Sequence, residues 1–235
     1  MRQPLSGLYS GPISKMPCLR GMPLLWDSLG LGMLALFFSA EVAGKEEDPD
    51  FTMSGATGVI TGALSLVLAA IGFSLQIYGD FSGYTDIARG VSRLFGIELL
   101  RNFDQPYLSR NITEFWRRWH ISLSTWLRDY LYVPLGGNRK GASRTSFNLF
   151  ATMLLGGLWH GAAWTFVLWG TLHGFFLVAY HLWEALRARY GLRPLPLGVG
   201  WSLTFFAVVV GWVIFRAPSL ERAGDLFQGM MGFHG

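Results

Sequence analysis

The sequence predicts an all-α, polytopic integral membrane protein, and three observations support that prediction. Apolar residues make up 51% of the 235 residues, charged residues make up 14%, and the mean hydropathy is +0.34. Uncharged runs cover residues 51–79, 145–183 and 194–215. Each run is long enough to cross a hydrocarbon core of about 30 Å as a helix that rises about 1.5 Å per residue. Composition and run length together exclude an ordinary soluble domain.

The N-terminal region, residues 1–50, is atypical and contains one further expected span. This weaker apolar run covers residues 24–40 and is interrupted by Asp27. The start is basic, but the run continues without a clear cleavage site, so an ordinary signal peptide is not predicted. We therefore divide the chain into residues 1–50 and a main membrane region, residues 51–235.

The apolar run at residues 145–183 is too long for a single crossing. It holds 39 residues and is rich in glycine, which weakens a helix and lets backbones approach closely. We predict two helices with a break near His160.

The segment from Asn111 to Leu131 has the periodicity of an amphipathic helix, with apolar residues spaced by threes, fours and ones. Asn111 can accept from the first-turn amides while Glu114 reaches back, in the manner of a capping box. Arg117, Arg118 and other polar residues occupy the opposite face. The helix is therefore expected to be interfacial or re-entrant rather than spanning.

Turn-forming residues are found after the amphipathic helix and also well upstream of it. Pro134 and the Gly136–Gly137 pair are expected to end the amphipathic helix, because proline cannot continue it and the glycines admit positive φ angles. Upstream, residues 78–84 are predicted to join the span to a short helix in which Asp86 pairs with Arg89.

The distribution of basic residues predicts an orientation. Residues 101–144 carry eight lysines and arginines against three acidic residues, which places them on the cytoplasmic side. The same rule puts the acidic loop at residues 45–50 outside and the basic cluster at residues 187–193 inside. The net charge of +4 is then a topology signal and gives no reason to invoke nucleic acid.

His160 is the first candidate catalytic residue, because an ionisable side chain within an apolar run is a functional hypothesis by default. A neutral imidazole can take and return a proton near neutral pH, as acyl transfer requires. Flanking glycines let a ligand approach, and Trp159 is a candidate lining residue for a substrate tunnel. The same setting also suits a histidine that only bridges two helices.

His120, at the edge of the amphipathic stripe, has a weaker case, since an interfacial histidine often serves packing alone. His173 and His181 make no convincing zinc site. They are eight residues apart, lack a close Cys, Asp or Glu partner, and fall nearly a quarter-turn apart on a helix. No metal or bound cofactor is predicted. Phosphate-binding loops, His-Glu-x-x-His and Gly-x-Ser-x-Gly are not found in the sequence.

Five motifs in order resemble the membrane-bound O-acyltransferase family, and specifically its bacterial alginate O-acetylation branch. They are QIYGDFSGYTD at residues 76–86, NFDQPYL at 102–108, EFWRRWHISLS at 114–124, WLRDYLYVPLGGNR at 126–139 and LWHGA at 158–162. With the WVIFRAP ending at residues 212–218, the resemblance covers roughly residues 73–232. An ordered match of several motifs is highly specific.

The resemblance implies a helical membrane vessel with a tunnel in which donor and acceptor meet. His160 would be the catalytic base and His120 the family's second characteristic histidine, while Trp116 and Arg117 would position substrate or donor. The implied donor is acetyl-CoA on the cytoplasmic side. The implied partners are a periplasmic acetyl-transfer protein and an exported polysaccharide such as alginate, at the bacterial inner membrane.

Three other functions stay open at this point. Members of the branch have about twice this length, so we expect the chain to lack much of their N-terminal half, and a truncated, non-catalytic membrane protein is one alternative. D-Alanyl transfer to teichoic acid is another, although the PLGGNR run at residues 134–139 favours the alginate branch. A transporter is the third, because intramembrane histidines also serve proton relays.

Overall fold

A computed structural model describes residues 56–233, and every regular element in that range is helical. The long helix α1 covers Ala56–Leu94 and is followed by the 3-10 turn Pro106–Leu108. Two seven-residue helices come next, α2 (Ile112–Arg118) and α3 (Ile121–Leu127), and α3 runs into a π-helical turn at Arg128–Tyr132. The remaining helices are α4 (Ala142–His160), α5 (Trp164–Tyr190), α6 (Leu197–Arg216) and α7 (Leu220–Met230). The predicted all-α class is confirmed.

Three of these helices are long and apolar enough to cross a membrane, namely α1 from Gly58 onward, α5 and α6. The run at residues 145–183 forms two helices, as predicted, and they are separated by residues 161–163 directly after His160. The expected span at residues 24–40 and the segment 1–50 lie outside the described residues.

Helices α4 and α5 pack backbone against backbone through glycine. A Cβ atom added to Gly170 would lie 2.5 Å from the carbonyl oxygen of Met153 and 3.1 Å from the Cα of Gly157. Small residues at such crossings let membrane helices approach without intervening side chains. This contact fixes the C-terminal end of α4, and therefore His160, against α5.

The predicted joint at residues 78–84 is wrong, because α1 continues through it to Leu94 without interruption. Isolated glycines weaken a helix but do not end it, and here the hydroxyl of Thr85 donates back to the Ser82 carbonyl at 2.9 Å. The predicted Asp86–Arg89 ion pair is confirmed at 3.1 Å, on the same continuous helix.

The start of the predicted amphipathic helix is confirmed, with one change in its cap. The side chain of Asn111 accepts from the Glu114 amide at 2.8 Å. Glu114 reaches back one residue further than expected, because its carboxylate accepts from the Arg110 amide at 2.9 Å and not from Asn111.

The predicted continuity of that helix is wrong, since it breaks at Trp119 and His120. His120 has a left-handed backbone with φ +43°, and Trp119 is extended. The extended loop before α2 supplies the hydrogen bonds that the helix loses. The Asp104 amide donates to the Arg118 carbonyl at 3.0 Å, and the Ile121 amide donates to the Asn102 carbonyl at 2.9 Å. Backbone hydrogen bonds with this distant loop therefore take the place of those that one turn of helix would make.

An aromatic core holds the short helices between the long ones. Trp119 stacks on Phe115 at 5.7 Å between centroids and packs against Trp212 of α6 at 4.9 Å. The Trp212 indole donates to the Tyr107 hydroxyl at 3.0 Å, and that hydroxyl donates to the Ser74 carbonyl of α1. This chain of contacts links α1, α2 and α6 around one site.

Candidate functional site

The two candidate catalytic histidines, 40 positions apart in the sequence, line one small cavity of ≈ 60 Å³. His160 is the last residue of α4, and His120 lies at the break between α2 and α3. The other lining residues are apolar or aromatic: Ile77, Trp116, Trp119, Leu123, Leu127, Met153, Gly156, Trp169, Trp212 and Phe215. The break between α2 and α3, which was not predicted from the sequence, therefore places His120 in the wall of this cavity.

His120 is half-buried, with its ring edge to face against Phe81 at 4.8 Å. Burial lowers the pKa of His120, and the charge of His160, when present, lowers this pKa further. The Ser122 hydroxyl lies 3.5 Å from Nδ1, at the outer limit of a hydrogen bond. A neutral imidazole, able to accept a proton, is thus favoured at pH 7.

His160 is held in an aromatic enclosure. Its ring centroid lies 5.3 Å from Trp169, 5.1 Å from Phe215 and 5.1 Å from Trp159, in each case edge to face. Within residues 56–233 its imidazole has no hydrogen-bond partner. Ring packing therefore fixes the orientation of His160 while its nitrogens stay available to a ligand.

Trp116 and Trp159, two of the three expected positioning residues, lie in different places relative to the histidine cavity. Trp116 lines the histidine cavity and packs edge to face on Trp169 at 5.7 Å. Trp159 contacts His160 from outside the cavity, and its side chain is 62% exposed. The structure therefore brings Trp116 into the site with both histidines but leaves Trp159 at its edge.

Arg117 lies outside the histidine cavity, in a polar cavity of ≈ 380 Å³ that also contains Tyr180, His181 and Glu184. A third cavity of ≈ 270 Å³ lies between the two. It shares Trp116 with the histidine cavity and Arg117 with the polar cavity. Trp116 and Arg117, adjacent in α2, therefore line neighbouring cavities that share wall residues.

Several residues of the site were not predicted from the sequence. Trp169 is 2% exposed, lines the histidine cavity and contacts both His160 and His173. His173 is fully buried against Trp116 and Trp169, which is a packing environment. Trp169 belongs to none of the motifs found in the sequence, whereas Trp212 and Phe215 lie in the motif at residues 212–218. No metal-binding cluster of His, Cys, Asp or Glu is present among the described residues.

Comparison of the sequence with known protein families identifies the family to which the chain belongs. The sequence model of the membrane-bound O-acyltransferase family matches residues 58–219, which is more than half of the chain and includes both cavity histidines. The chain belongs to the membrane-bound O-acyltransferase family. A second model, described as a protein of unknown function, matches residues 16–79. The family resemblance predicted from the motifs is therefore confirmed.

Three proteins to which the chain is similar carry different names. The chain is 48% identical over 205 residues to "Probable alginate O-acetylase AlgI" of Pseudomonas fluorescens, which covers 86% of this chain and 39% of that protein. It is 44% identical over 168 residues to "Peptidoglycan O-acetyltransferase" of Helicobacter pylori, covering 72% and 32%. It is 34% identical over 174 residues to "Teichoic acid D-alanyltransferase" of Bacillus subtilis, covering 68% and 43%. The chain spans less than half the length of these curated relatives.

Proposed function

We propose that this chain carries the reaction centre of a membrane O-acetyltransferase that modifies a cell-surface polysaccharide, with alginate as the first acceptor to test. The observation that supports it is the shared cavity of His120 and His160, enclosed by apolar and aromatic side chains. The name of the relative with 48% identity supports the acceptor. The membrane concerned is the bacterial inner membrane, which the chain crosses several times.

In this mechanism His160 takes the proton of an acceptor hydroxyl. The hydroxyl oxygen attacks the carbonyl carbon of an acetyl thioester, a C–O bond forms, and the C–S bond breaks. The proton passes from the imidazole to the leaving sulfur, so the histidine returns to its neutral form. His120, on the wall of the same cavity, orients the reacting groups.

The size of the cavity favours a small acyl group. The cavity is only ≈ 60 Å³, and its lining is apolar or aromatic apart from the two histidines. An uncharged acetyl group suits such a lining better than a D-alanyl group, which is larger and carries an ammonium. D-Alanyl transfer, supported by the relative with 34% identity, is the second candidate.

We assign the donor, acetyl-CoA, to the cytoplasmic side. The polar cavity at Arg117 and the intermediate cavity offer a route from that side to Trp116 and the histidines. Arg117 would attract the anionic donor and Trp116 would guide its acyl end. An extracytoplasmic transfer protein would carry the acetyl group onward to the polymer.

The test is transfer of labelled acetyl from acetyl-CoA in membranes that contain the 235-residue chain. We expect transfer in the parent chain, loss of nearly all of it in His160→Ala, and retention in His234→Ala, a histidine that lies outside the described residues. D-Alanyl donor supplied in place of acetyl-CoA discriminates the second candidate. Full activity of His160→Ala would remove this histidine from the mechanism. Inactivity of the inserted parent with both donors would favour the non-catalytic alternative.

A further inference from the structure

A long groove between α5 and α6 lies beside the polar cavity and has a different character from the histidine cavity. Its volume is ≈ 570 Å³, and Phe176, Leu203, Ala207 and Val210 are among its apolar walls. Arg110, Asn111, Tyr180 and Glu184 line this groove and also the polar cavity. The groove therefore has an apolar body and one charged end.

The length and position of the groove match one leaflet of a bilayer. On α6 it extends from Gly200 to Val210, which is about 15 Å along a helix and half of a hydrocarbon core of about 30 Å. Pro194 and Leu195, in the loop between the two spanning helices, also line it. The groove thus begins at the loop end of the two spanning helices and runs towards their middle.

The charged end has more positive than negative side chains. Glu114 is shared by two guanidiniums, Arg110 at 3.1 Å and Arg118 at 2.7 Å. Glu184 is paired with Arg187 at 2.6 Å. Arg117 has no carboxylate partner among residues 56–233. Four arginines therefore surround two carboxylates, which favours an anionic group at this end.

The backbone holds this charged end against the groove. A Cβ atom on Gly200 would lie 2.7 Å from the Arg110 carbonyl oxygen, so the start of α2 rests directly on α6. The capping hydrogen bonds of Asn111 and Glu114 fix the same turn. The arginines are thus presented at the head of the groove by a packed element.

We propose that this groove binds one anionic phospholipid of the cytoplasmic leaflet, with its phosphate at Arg110, which lines both the groove and the polar cavity, and an acyl chain between α5 and α6. An acyl chain suits the apolar walls and the one-leaflet length. The basic end selects a headgroup with a net negative charge over a zwitterionic one. Such a lipid would lie beside the proposed donor route and would leave Arg117 available to the donor.

The experiment measures lipid retention by native mass spectrometry on the delipidated 235-residue chain, offered equal amounts of phosphatidylglycerol and phosphatidylcholine with the same acyl chains. We expect the anionic lipid to be retained about fivefold more strongly for each arginine that contacts it. Arg110→Gln should bring the ratio towards one, while Arg139→Gln, an equal loss of charge on a remote loop, should leave it unchanged. Acyl transfer is not part of this readout, so its outcome is independent of the proposed reaction.

A second pair of variants tests the groove itself. Ala207→Phe fills it and should reduce retention of both lipids, whereas Val209→Phe, which faces another cavity on α6, should not. Circular dichroism confirms that both variants are folded. Equal retention of the two lipids, an equal effect of Arg139→Gln, or displacement of the lipid by free glycerol phosphate would overturn the proposal.

Discussion

The indole of Trp169 meets the imidazole of His160 edge to face, with centroids 5.3 Å apart and planes at 87°. Trp169 is also in contact with Trp116, His173 and Phe215. One buried side chain therefore connects the candidate base to the core of the protein. The orientation of His160 depends on how well that indole is packed.

Trp169→Phe should lower acetyl transfer by about tenfold or more while the protein still folds. The smaller ring leaves part of the His160 wall empty, and small displacements of a reacting group reduce rates strongly. The measurement is the rate at saturating donor together with the thermal unfolding midpoint. Trp126→Phe, at a side chain 52% exposed and outside the histidine cavity, is the matched control. Equal rates in the two variants would contradict a positioning role for Trp169.

The stability of the protein should depend on pH because His120 is half-buried in the folded state. Its pKa is lower in the folded protein than the ordinary value of 6.5, so below pH 6.5 the unfolded chain binds more protons at this residue. Stability is therefore expected to fall as the pH drops from 6.5 towards the folded pKa.

The check is the thermal unfolding midpoint between pH 8 and pH 5 for the parent and His120→Asn. Asparagine tolerates the left-handed backbone at this position, so the variant removes the titrating group with little strain. A shallower loss of stability in the variant is expected. Parallel curves for the two proteins would show that His120 does not contribute.

Gly170→Ala should destabilise the protein by about 1–3 kcal/mol, because the added methyl group would overlap the Met153 carbonyl and force α4 and α5 apart. Gly198→Ala is the control, since a Cβ atom there has open space in helix α6. That change should be neutral or should stabilise by about 0.5–1 kcal/mol. Chemical unfolding in detergent measures both, and similar effects of the two changes would contradict the close crossing.

Asn148→Ala should destabilise the turn that follows α3 by about 1–3 kcal/mol. Asn148 is fully buried in α4 and its amide donates to the Gly137 carbonyl at 2.9 Å, so its loss leaves that carbonyl without this donor. Asn138→Ala, at an exposed position in the same turn, should have little effect. Limited proteolysis at residues 136–141 compares the two, and equal cleavage rates would exclude this role of Asn148.

Much of the fold was predictable because membrane spans leave a strong signal in a single sequence. Uncharged runs of sufficient length become helices in the absence of competing water, which is why α5 and α6 were located. The break after His160 followed from glycine content. The Asn111 cap was predicted from local side-chain chemistry, and Asn111 does accept from Glu114.

The two wrong predictions concern places where distant contacts outweigh local preference. Residues 78–84 contain two glycines and looked like a joint, but α1 stays helical there while its neighbours pack along it. The pattern from Asn111 to Leu131 is helical throughout, yet Trp119 leaves the helix to enter the aromatic core. Two backbone hydrogen bonds compensate for the break: the Asn102 carbonyl accepts from the Ile121 amide, and the Asp104 amide donates to the Arg118 carbonyl.

The sequence by itself determined the helical membrane class and the family, and it named two candidate histidines, because these depend on composition, run length and motif order. The tertiary structure alone decided that His120 and His160 share a cavity, that Trp116 lines it while Arg117 faces a separate polar cavity, and that Trp169 packs edge to face on His160. Those relationships arise from packing and backbone hydrogen bonds between segments far apart in the chain. His120 and His160 lie 40 positions apart, and no local pattern encodes a contact between segments so distant.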